Sequence, residues 1–300
     1  MTFPLGGEAI RAAFICACNA ELGALKPGNV HIHAGGHAME AKQFADAAEA
    51  AAPWISDAGL QVGARVLGAV DASLAAARCN ANLGIVLLCA PLAAAAGAAS
   101  GPPDLRLRLA TVLAELDRED AAAVFRAIAH ASPAGLGKVA SEDVAAAPTV
   151  TLIEAMALAA DRDRIARAYV TDFEDIFAFG LPELHGARVH AGEEEDAVTT
   201  LHMSYMATFP DSHITRKHGA AAAQNVRDGA RERERLWRPA ASRNSFPELL
   251  AYDRELKEQG LNPGTTADFV VATLYADALI ARSAAGGAVN PLSKDRSWRY

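Results

Sequence analysis

Apolar residues recur every three or four positions along most of the chain, which is the period of an amphipathic α-helix. No pair of segments reads as neighbouring β-strands, and no internal repeat is evident. The pattern predicts helices at 7–25, 41–55, 59–77, 83–99, 104–116, 118–131, 148–160, 163–179, 197–207, 214–236, 246–259 and 267–284. The segment 180–196 is predicted to be a loop whose acidic end, 193–196, opens the next helix, because carboxylates in a first turn complement the helix dipole.

The composition supports a helical fold of one domain. Hydrophobic residues make up 51% of the 300 residues but aromatic residues only 6%, and alanine, the best helix former, is abundant. The most apolar segment, 83–99, contains Pro91 and is too short to span a bilayer, so we expect a buried core helix. No Pro-, Gly- or Ser-rich linker divides the chain. We therefore predict an all-α fold, a single multi-helix globular bundle over 1–285, followed by a tail at 286–300.

Charge and cysteine usage narrow the partners and the compartment. The formal net charge of −8 argues against nucleic-acid binding, because general affinity for a polyanion comes from lysines and arginines. The four cysteines form no Cys-x-x-Cys pair, and the N-terminus does not read as a secretory signal. We therefore expect reduced cysteines, a cytoplasmic location and no membrane partner, and a homo-oligomer is compatible with these features.

The first polar junction between helices is rich in groups that bind anions or metals. It reads Lys26-Pro27-Gly28-Asn29-Val30-His31-Ile32-His33-Ala34-Gly35-Gly36-His37-Ala38-Met39. Glycines let backbone N–H groups face an anion, and a lysine in a Pro-Gly loop is expected to be exposed and to face phosphate. The imidazoles of His31, His33 and His37 would suit zinc, or they would form hydrogen bonds within the loop.

Three further junctions combine polar residues with helix ends. Asn80 and Asn82 precede the most apolar helix, where they would either cap it or help to bind a phosphate at its N-terminus. The string Gly135-Leu136-Gly137-Lys138 lacks the spacing and the preceding strand of a P-loop. Asp161-Arg162-Asp163 would either bind Mg²⁺ or form ion pairs at a helix boundary. The last junction reads Asn262-Pro263-Gly264-Thr265-Thr266-Ala267-Asp268, and Asp268 is expected to open a helix.

In this order the junctions resemble the triphosphoribosyl-dephospho-CoA synthase family, which serves the citrate lyase and malonate decarboxylase acyl-carrier systems. The likeness covers about 21–279. Its carriers are Lys26-Pro27-Gly28-x-Val30, Gly36-His37-x-Met39, Asn80-Ala81-Asn82-x-Gly84, Met156-Ala157 with Asp161-Arg162-Asp163 and Arg167, and Pro263-Gly264-Thr265-Thr266-Ala267-Asp268. The resemblance implies a helical enzyme that joins the ribose of ATP to a hydroxyl of dephospho-CoA and releases adenine.

The resemblance also implies roles for particular residues. A bond that breaks at C1 of ribose passes through an oxocarbenium-like state, so the enzyme needs a nearby carboxylate, a base and countercharge for phosphates. Glu21 and His31 are the candidate bases, and Asp161 is the candidate carboxylate. Mg²⁺, the expected cofactor, is assigned to Asp161, Asp163 and Asp268. Phosphate and substrate contacts are assigned to Lys26, Gly28, Asn29, His33, Gly35, Gly36, His37, Asn80, Asn82, Arg167, Thr265 and Thr266.

The chain departs from the family pattern in places that bear on the donor. Asn80-Ala81-Asn82-Leu83-Gly84 stands where the family usually has Asn-Thr-His-Lys-Gly, and Asp161-Arg162-Asp163 stands where it usually has Asp-Thr-Asn. The lost lysine weakens the argument for a triphosphate. We therefore predict pentosyl transfer from ATP or another phosphorylated pentose donor to a small acceptor such as dephospho-CoA.

Two alternatives belong to other classes of protein. A metal-dependent helical phosphohydrolase would use His and Asp clusters, but the usual adjacent His-Asp pair is absent from the sequence. A non-catalytic helical binding or assembly protein would explain the lost family residues and predicts no turnover with any nucleotide or phosphopentose.

Overall fold

The computed structural model describes residues 3–131 and 148–285, which form α-helices joined by turns and short loops. The helices are α1 (Gly7–Gly23), α2 (Ala41–Ser56), α3 (Val62–Ala77), α4 (Leu83–Gly97), α5 (Leu105–Ala114), α6 (Arg118–Ala131), α7 (Leu152–Ala159), α8 (Arg164–Val170), a π-helix (Asp175–Gly180), α9 (Leu181–His190), α10 (Glu194–Thr208), α11 (Ser212–His218), α12 (Ala220–Glu232), a 3-10 helix (Glu234–Leu236), α13 (Phe246–Glu258) and α14 (Gly264–Ala284). Since these residues contain no β-strand, the predicted all-α class is confirmed.

In the described part of the chain, the helices enclose two large hydrophobic cores of different character and a small third cluster around Ala47, Ala77 and Ala81. The larger core is rich in alanine and aliphatic residues and gathers side chains from α1 to α10 and α14. Helix α4 is buried over most of its length, as its apolar sequence predicts. The smaller core lies between the end of α10, α12 and α13 and contains the larger side chains of Met203, Trp237 and Tyr252. Helix α10 contributes to both cores and ties them together.

Three predictions about helix boundaries are wrong. The single helix predicted at 163–179 ends at Val170, because Asp172 and Phe173 have positive φ angles that a right-handed helix does not allow. The segment 180–196 contains α9, which continues directly from the π-helix and has Pro182 in its first turn, where proline is tolerated. The acidic run does open α10, with three carboxylates in its first turn. The single helix predicted at 214–236 is broken at Gly219, whose φ of 88° cannot continue a right-handed helix.

The start of α14 changes the position of a predicted site residue. The helix begins at Gly264 rather than 267, so Asp268 lies in its second turn and does not cap it. The prediction that Asp268 opens a helix is therefore wrong. The Gly135–Lys138 string and the predicted tail lie outside the described residues. In the described part of the chain, no helix is both long and apolar enough to cross a membrane.

Candidate functional site

The junction between α1 and α2, residues 26–39, is here called the histidine loop. It packs against α13 and the residues before α14 through Gly28. The φ angle of Gly28 is 84°, and a Cβ atom on this residue would lie 2.8 Å from Pro263 Cδ. The Gly28 N–H donates to Asp253 Oδ1 (2.9 Å), and its carbonyl accepts from His37 Nε2 (2.8 Å). Gly28 thus serves close packing, with both backbone polar groups already used.

Lys26 lies inside the protein rather than on its surface. Only 1% of the residue is exposed, and its ammonium pairs with Glu21 and donates to Asn29 Oδ1 (3.2 Å). Burial lowers the pKa of Lys26 and raises that of Glu21, while their mutual attraction opposes both shifts. The expectation that Lys26 is exposed is wrong, because Glu21 in the last turn of α1 draws the ammonium inward.

Asn29 and His31 are equally well engaged. Asn29 Nδ2 donates to Asn262 Oδ1 (2.8 Å), which links the histidine loop to the residues before α14. His31 Nδ1 accepts from the Ala34 N–H (3.2 Å), so its proton lies on Nε2, 3.3 Å from Asp253 Oδ1. Burial, the largest influence, lowers the pKa of His31 to about 4. With both nitrogens occupied and a low pKa, His31 is corrected from a candidate base to a residue that holds the loop.

The other loop histidines do not join it around a metal. His37 donates to the loop backbone, and His33 is exposed with its ring edge against Phe246, at 5.1 Å between centroids. Among the residues that the structure describes, no three His, Cys, Asp or Glu side chains converge to hold a metal ion. The zinc alternative is therefore not supported. The loop glycines also serve packing, since a Cβ at Gly36 would lie 2.8 Å from Lys257 Cε and one at Gly35 would lie 3.0 Å from the Met39 carbonyl oxygen.

The starts of α11 and α14 are joined by Asp211. Its Oδ1 accepts the backbone N–H groups of His213 and Ile214, and its Oδ2 accepts the N–H and hydroxyl of Thr266 at 2.7 and 2.9 Å. Thr265 Oγ1 accepts from the His213 N–H at 3.2 Å. The two threonines predicted to bind substrate are buried and fasten the helices to each other.

Asp268 projects from α14 towards the start of α4. A Cβ atom at Gly84 would overlap its carboxylate, so only glycine fits there. No hydrogen bond contributes to the electrostatics of this carboxylate; burial, followed by the nearby Asp211 and Glu21, raises the pKa of Asp268 well above its usual range. Asp268 is thus a partly buried carboxylate that has no hydrogen-bond or ion-pair partner among the described residues, which is an arrangement found at functional sites. We call Asp268, Asp211, Gly84 and the facing residues of α11 the α11–α14 junction.

Of the other predicted metal ligands, Asp163 lies near enough to Asp268 to raise its pKa, but its own oxygens are engaged in other contacts. Asp163 caps α8 through the Ile165 and Ala166 N–H groups and forms an ion pair with Arg216. Asp161 is exposed in the turn before α8. In the described chain, Asp161, Asp163 and Asp268 do not converge on one point. The prediction that all three bind one Mg²⁺ ion is therefore wrong. Arg167 is exposed on α8.

A small cavity lies beside Glu21. Asn82 and Ile85 of the α4 start line it together with Cys18 and Phe44. Asn82 Nδ2 donates to Ser73 Oγ (3.0 Å), and Asn80 Oδ1 accepts from the Leu83 N–H (3.3 Å). Asn80 therefore caps α4, whereas the Asn82 side chain makes no capping bond.

Several residues at the site were missed by the sequence analysis, namely Asp211, His213, Arg216, Asp253 and Lys257. The density of charged and imidazole groups in 211–218 and the four-residue spacing of Asp253 and Lys257 were available signals. Nothing in the sequence pairs Asp253 with Gly28, which is 225 residues away.

Glycine turns, cations and carboxylates from distant parts of a helical chain thus meet in one region, as in enzymes that act on phosphorylated small molecules. A model of the ATP:dephospho-CoA triphosphoribosyl transferase family matches residues 7–286. The chain belongs to this family, so the predicted resemblance is confirmed and the transferase prediction is favoured over both alternatives. No curated protein matches.

A solved structure supports the fold. The chain is similar to a protein from Archaeoglobus fulgidus that is provisionally assigned as a triphosphoribosyl-dephospho-CoA synthase. The sequence identity is 24% and the TM-score 0.59, and the match covers 77% of this chain and 95% of the other. At this identity the likeness concerns the fold alone.

Proposed function

We propose that this protein transfers the triphosphorylated ribose of ATP to a hydroxyl of dephospho-CoA and releases adenine. The observation that carries the proposal is the family match over nearly the whole chain. The α11–α14 junction supports it, because Gly84 and Asp268, from two separate family motifs, are in contact there. Departures at Ala81 and Leu83 make the choice of donor part of the test.

The reaction needs no oxidant or reductant. The acceptor hydroxyl oxygen forms a bond to C1 of the ribose as the bond from C1 to the adenine nitrogen breaks, and the hydroxyl proton balances the one that adenine gains. Asp268 is the carboxylate to which we assign the stabilisation of the positive charge that develops on the ribose ring. Glu21 is the proposed proton acceptor, because burial makes it more basic while Lys26 keeps it ionised.

Mg²⁺ fits the residues present. Asp268 has no hydrogen bond to any described residue. It lies near the like charges of Asp211 and Glu21, which Arg216 offsets in part and which a divalent cation would relieve. We propose that Asp268 would hold the ion. Bound there, the ion supplies countercharge to the phosphates. The cytoplasm stays the proposed location, since Cys16, Cys18, Cys79 and Cys89 are free, as a reducing compartment requires.

Chromatography of the products with mass detection tests the proposal. The protein is incubated with ATP, dephospho-CoA and Mg²⁺, with each component omitted in turn, and with other phosphorylated pentose donors in place of ATP. We expect free adenine and a triphosphoribosylated dephospho-CoA in equal amounts, only when all three components are present. Phosphate or pyrophosphate release without adenine would instead identify a phosphohydrolase, and no turnover with any donor would contradict the transferase proposal.

A further inference from the structure

A cationic face of α11 borders Asp268 and has no part in the reaction as described so far. His213, Arg216 and Lys217 are spaced by three and four residues, which places them on one side of the helix. The His213 ring packs near Gly264, at 3.5 Å from the position of a Cβ there. This contact turns the face towards the start of α14 and the Asp268 carboxylate.

Arg216 has an unmet donor at this place. One terminal nitrogen pairs with Asp163, but Nε is buried and has no hydrogen-bond partner among the described residues. A buried donor without an acceptor costs about 1–3 kcal/mol, so such groups are rare unless a ligand supplies the acceptor. An arginine offers two parallel N–H groups to a phosphate, and Nε is one of the nitrogens that does so.

Lys217 adds a second positive charge next to Arg216 on this helix. Lys217 is exposed, and no carboxylate pairs with it in the described chain. His37 of the histidine loop lies near Lys217, whereas Lys257 is paired with Asp253. Burial is the largest cause that lowers the pKa of His213 and His37. Asp211 and the hydrogen bond to Gly28 oppose it, and Lys217 lowers the pKa of both rings further by repulsion. A polyanion would relieve this repulsion.

We propose that the α11 face binds the triphosphate of the donor, with Arg216 Nε donating to a phosphate oxygen and Lys217 supplying a second positive charge. This inference rests on the proposed function. The neighbouring unpaired Asp268 favours the triphosphate over the diphosphate of the acceptor, because a carboxylate tolerates a nearby polyphosphate only when a cation bridges them. ATP carries such a cation as its Mg²⁺ complex.

Calorimetry with inorganic tripolyphosphate and Mg²⁺ tests the site without any transfer reaction. We expect tripolyphosphate to bind in competition with ATP, and Arg216→Gln and Lys217→Gln each to weaken its affinity at least about tenfold, the effect of one charge-assisted contact. Arg235→Gln and Lys42→Gln are the matched controls, because each removes an exposed cation that is paired with one carboxylate elsewhere. Both controls should bind as the parent does.

The outcomes separate this inference from the proposed function. The site is overturned if Lys217→Gln and Arg216→Gln both bind tripolyphosphate with the affinity of the parent. Lys217 is exposed, so its substitution does not put the fold at risk. Weaker binding of dephospho-CoA with unchanged binding of tripolyphosphate also overturns it and assigns the face to the acceptor. If the parent protein binds tripolyphosphate in this residue-dependent way but releases no adenine, the site stands and the transfer proposal fails.

Discussion

Asp253 in α13 and Asp268 in α14 are two aspartates on neighbouring helices with opposite surroundings. Asp253 accepts from the Gly28 N–H, His31 and Lys257. Burial alone would raise its pKa, but His31 and Lys257 lower it. Asp268 receives none of these and its pKa is raised well above the usual range. The contrast separates a polar network that is complete in the protein from a carboxylate that still needs a partner.

This difference extends to the regions around the two aspartates. In the histidine loop every one of the three polar side chains has a partner within the protein, and these contacts stabilise the loop. Lys26 pairs with Glu21, Asn29 with Asn262, and His31 with Asp253 of α13. At the α11–α14 junction, the Asp268 carboxylate and Arg216 Nε have no hydrogen-bond partner among the described residues. The unsatisfied groups are better candidates for substrate contact than the histidines and lysine that the motif makes conspicuous.

The largest expected effect comes from breaking the buried ion pair of the histidine loop. Lys26→Met should lower the free energy of unfolding by about 3–5 kcal/mol, because it leaves the Glu21 carboxylate buried and unpaired. Chemical denaturation measures this loss, and Lys26→Met combined with Glu21→Gln should recover part of it. A Lys26→Met protein as stable as the parent but unable to bind ATP would restore the phosphate-facing role.

Asp268→Asn should act on turnover rather than on folding. We expect adenine release to fall at least about a hundredfold, or about 2.7 kcal/mol of transition-state stabilisation. Without Mg²⁺ or substrate the variant should be at least as stable as the parent at neutral pH. The pKa of Asp268 is raised in the folded protein, so its protonated form favours folding. This contribution to the stability of the parent is fully present only below the unfolded pKa of about 3.9 and is lost as the pH rises through the folded pKa.

The advantage of the Asp268→Asn variant should therefore grow as the pH increases above about 4. Thermal unfolding at a series of pH values measures it beside a rate assay. Parental turnover would remove Asp268 from the site.

Asp253→Asn should show the opposite dependence on pH. An amide cannot accept from Gly28, His31 and Lys257 together, so we expect a loss of about 1–3 kcal/mol in the free energy of unfolding. The pKa of Asp253 is lowered in the folded protein, so its contribution is present above the unfolded pKa of about 3.9 and is lost as the pH falls through the folded pKa.

The difference in stability between Asp253→Asn and the parent should accordingly be constant near neutrality and shrink in acid. Denaturant titrations at neutral and acidic pH test this. A difference that grows in acid would contradict the assignment of Asp253 as the ionised partner of Lys257.

The smallest effect is expected at Asp161, which is exposed and separate from both regions. Asp161→Asn should leave the free energy of unfolding within about 0.5 kcal/mol of the parent, as for most surface changes. Its rate of adenine release should stay within about twofold of the parent. It is the matched control for Asp268→Asn, and a comparable loss of turnover in both variants would restore the predicted metal role of Asp161.

The helical repeat of the sequence predicted the fold class and many helix limits closely. Helix α6 has the predicted bounds, and α2 and α13 each differ by one residue at one end. Predictions failed where local signals conflict. Pro182 reads as a break although proline fits a first turn, and Gly219 alone interrupts a long periodic segment.

The sequence by itself determined the family and which junctions are polar, because motif residues and helical periodicity are local properties. It did not determine what each polar residue does. Lys26 is buried because Glu21 lies one helical turn away in a closed core, and Asp253 is saturated because folding brings Gly28 and His31 to it from the other end of the chain. Only the tertiary structure decides which partners are met and which, at Asp268 and Arg216, are left for a ligand, since burial and long-range pairing set the cost of an unmatched charge or donor.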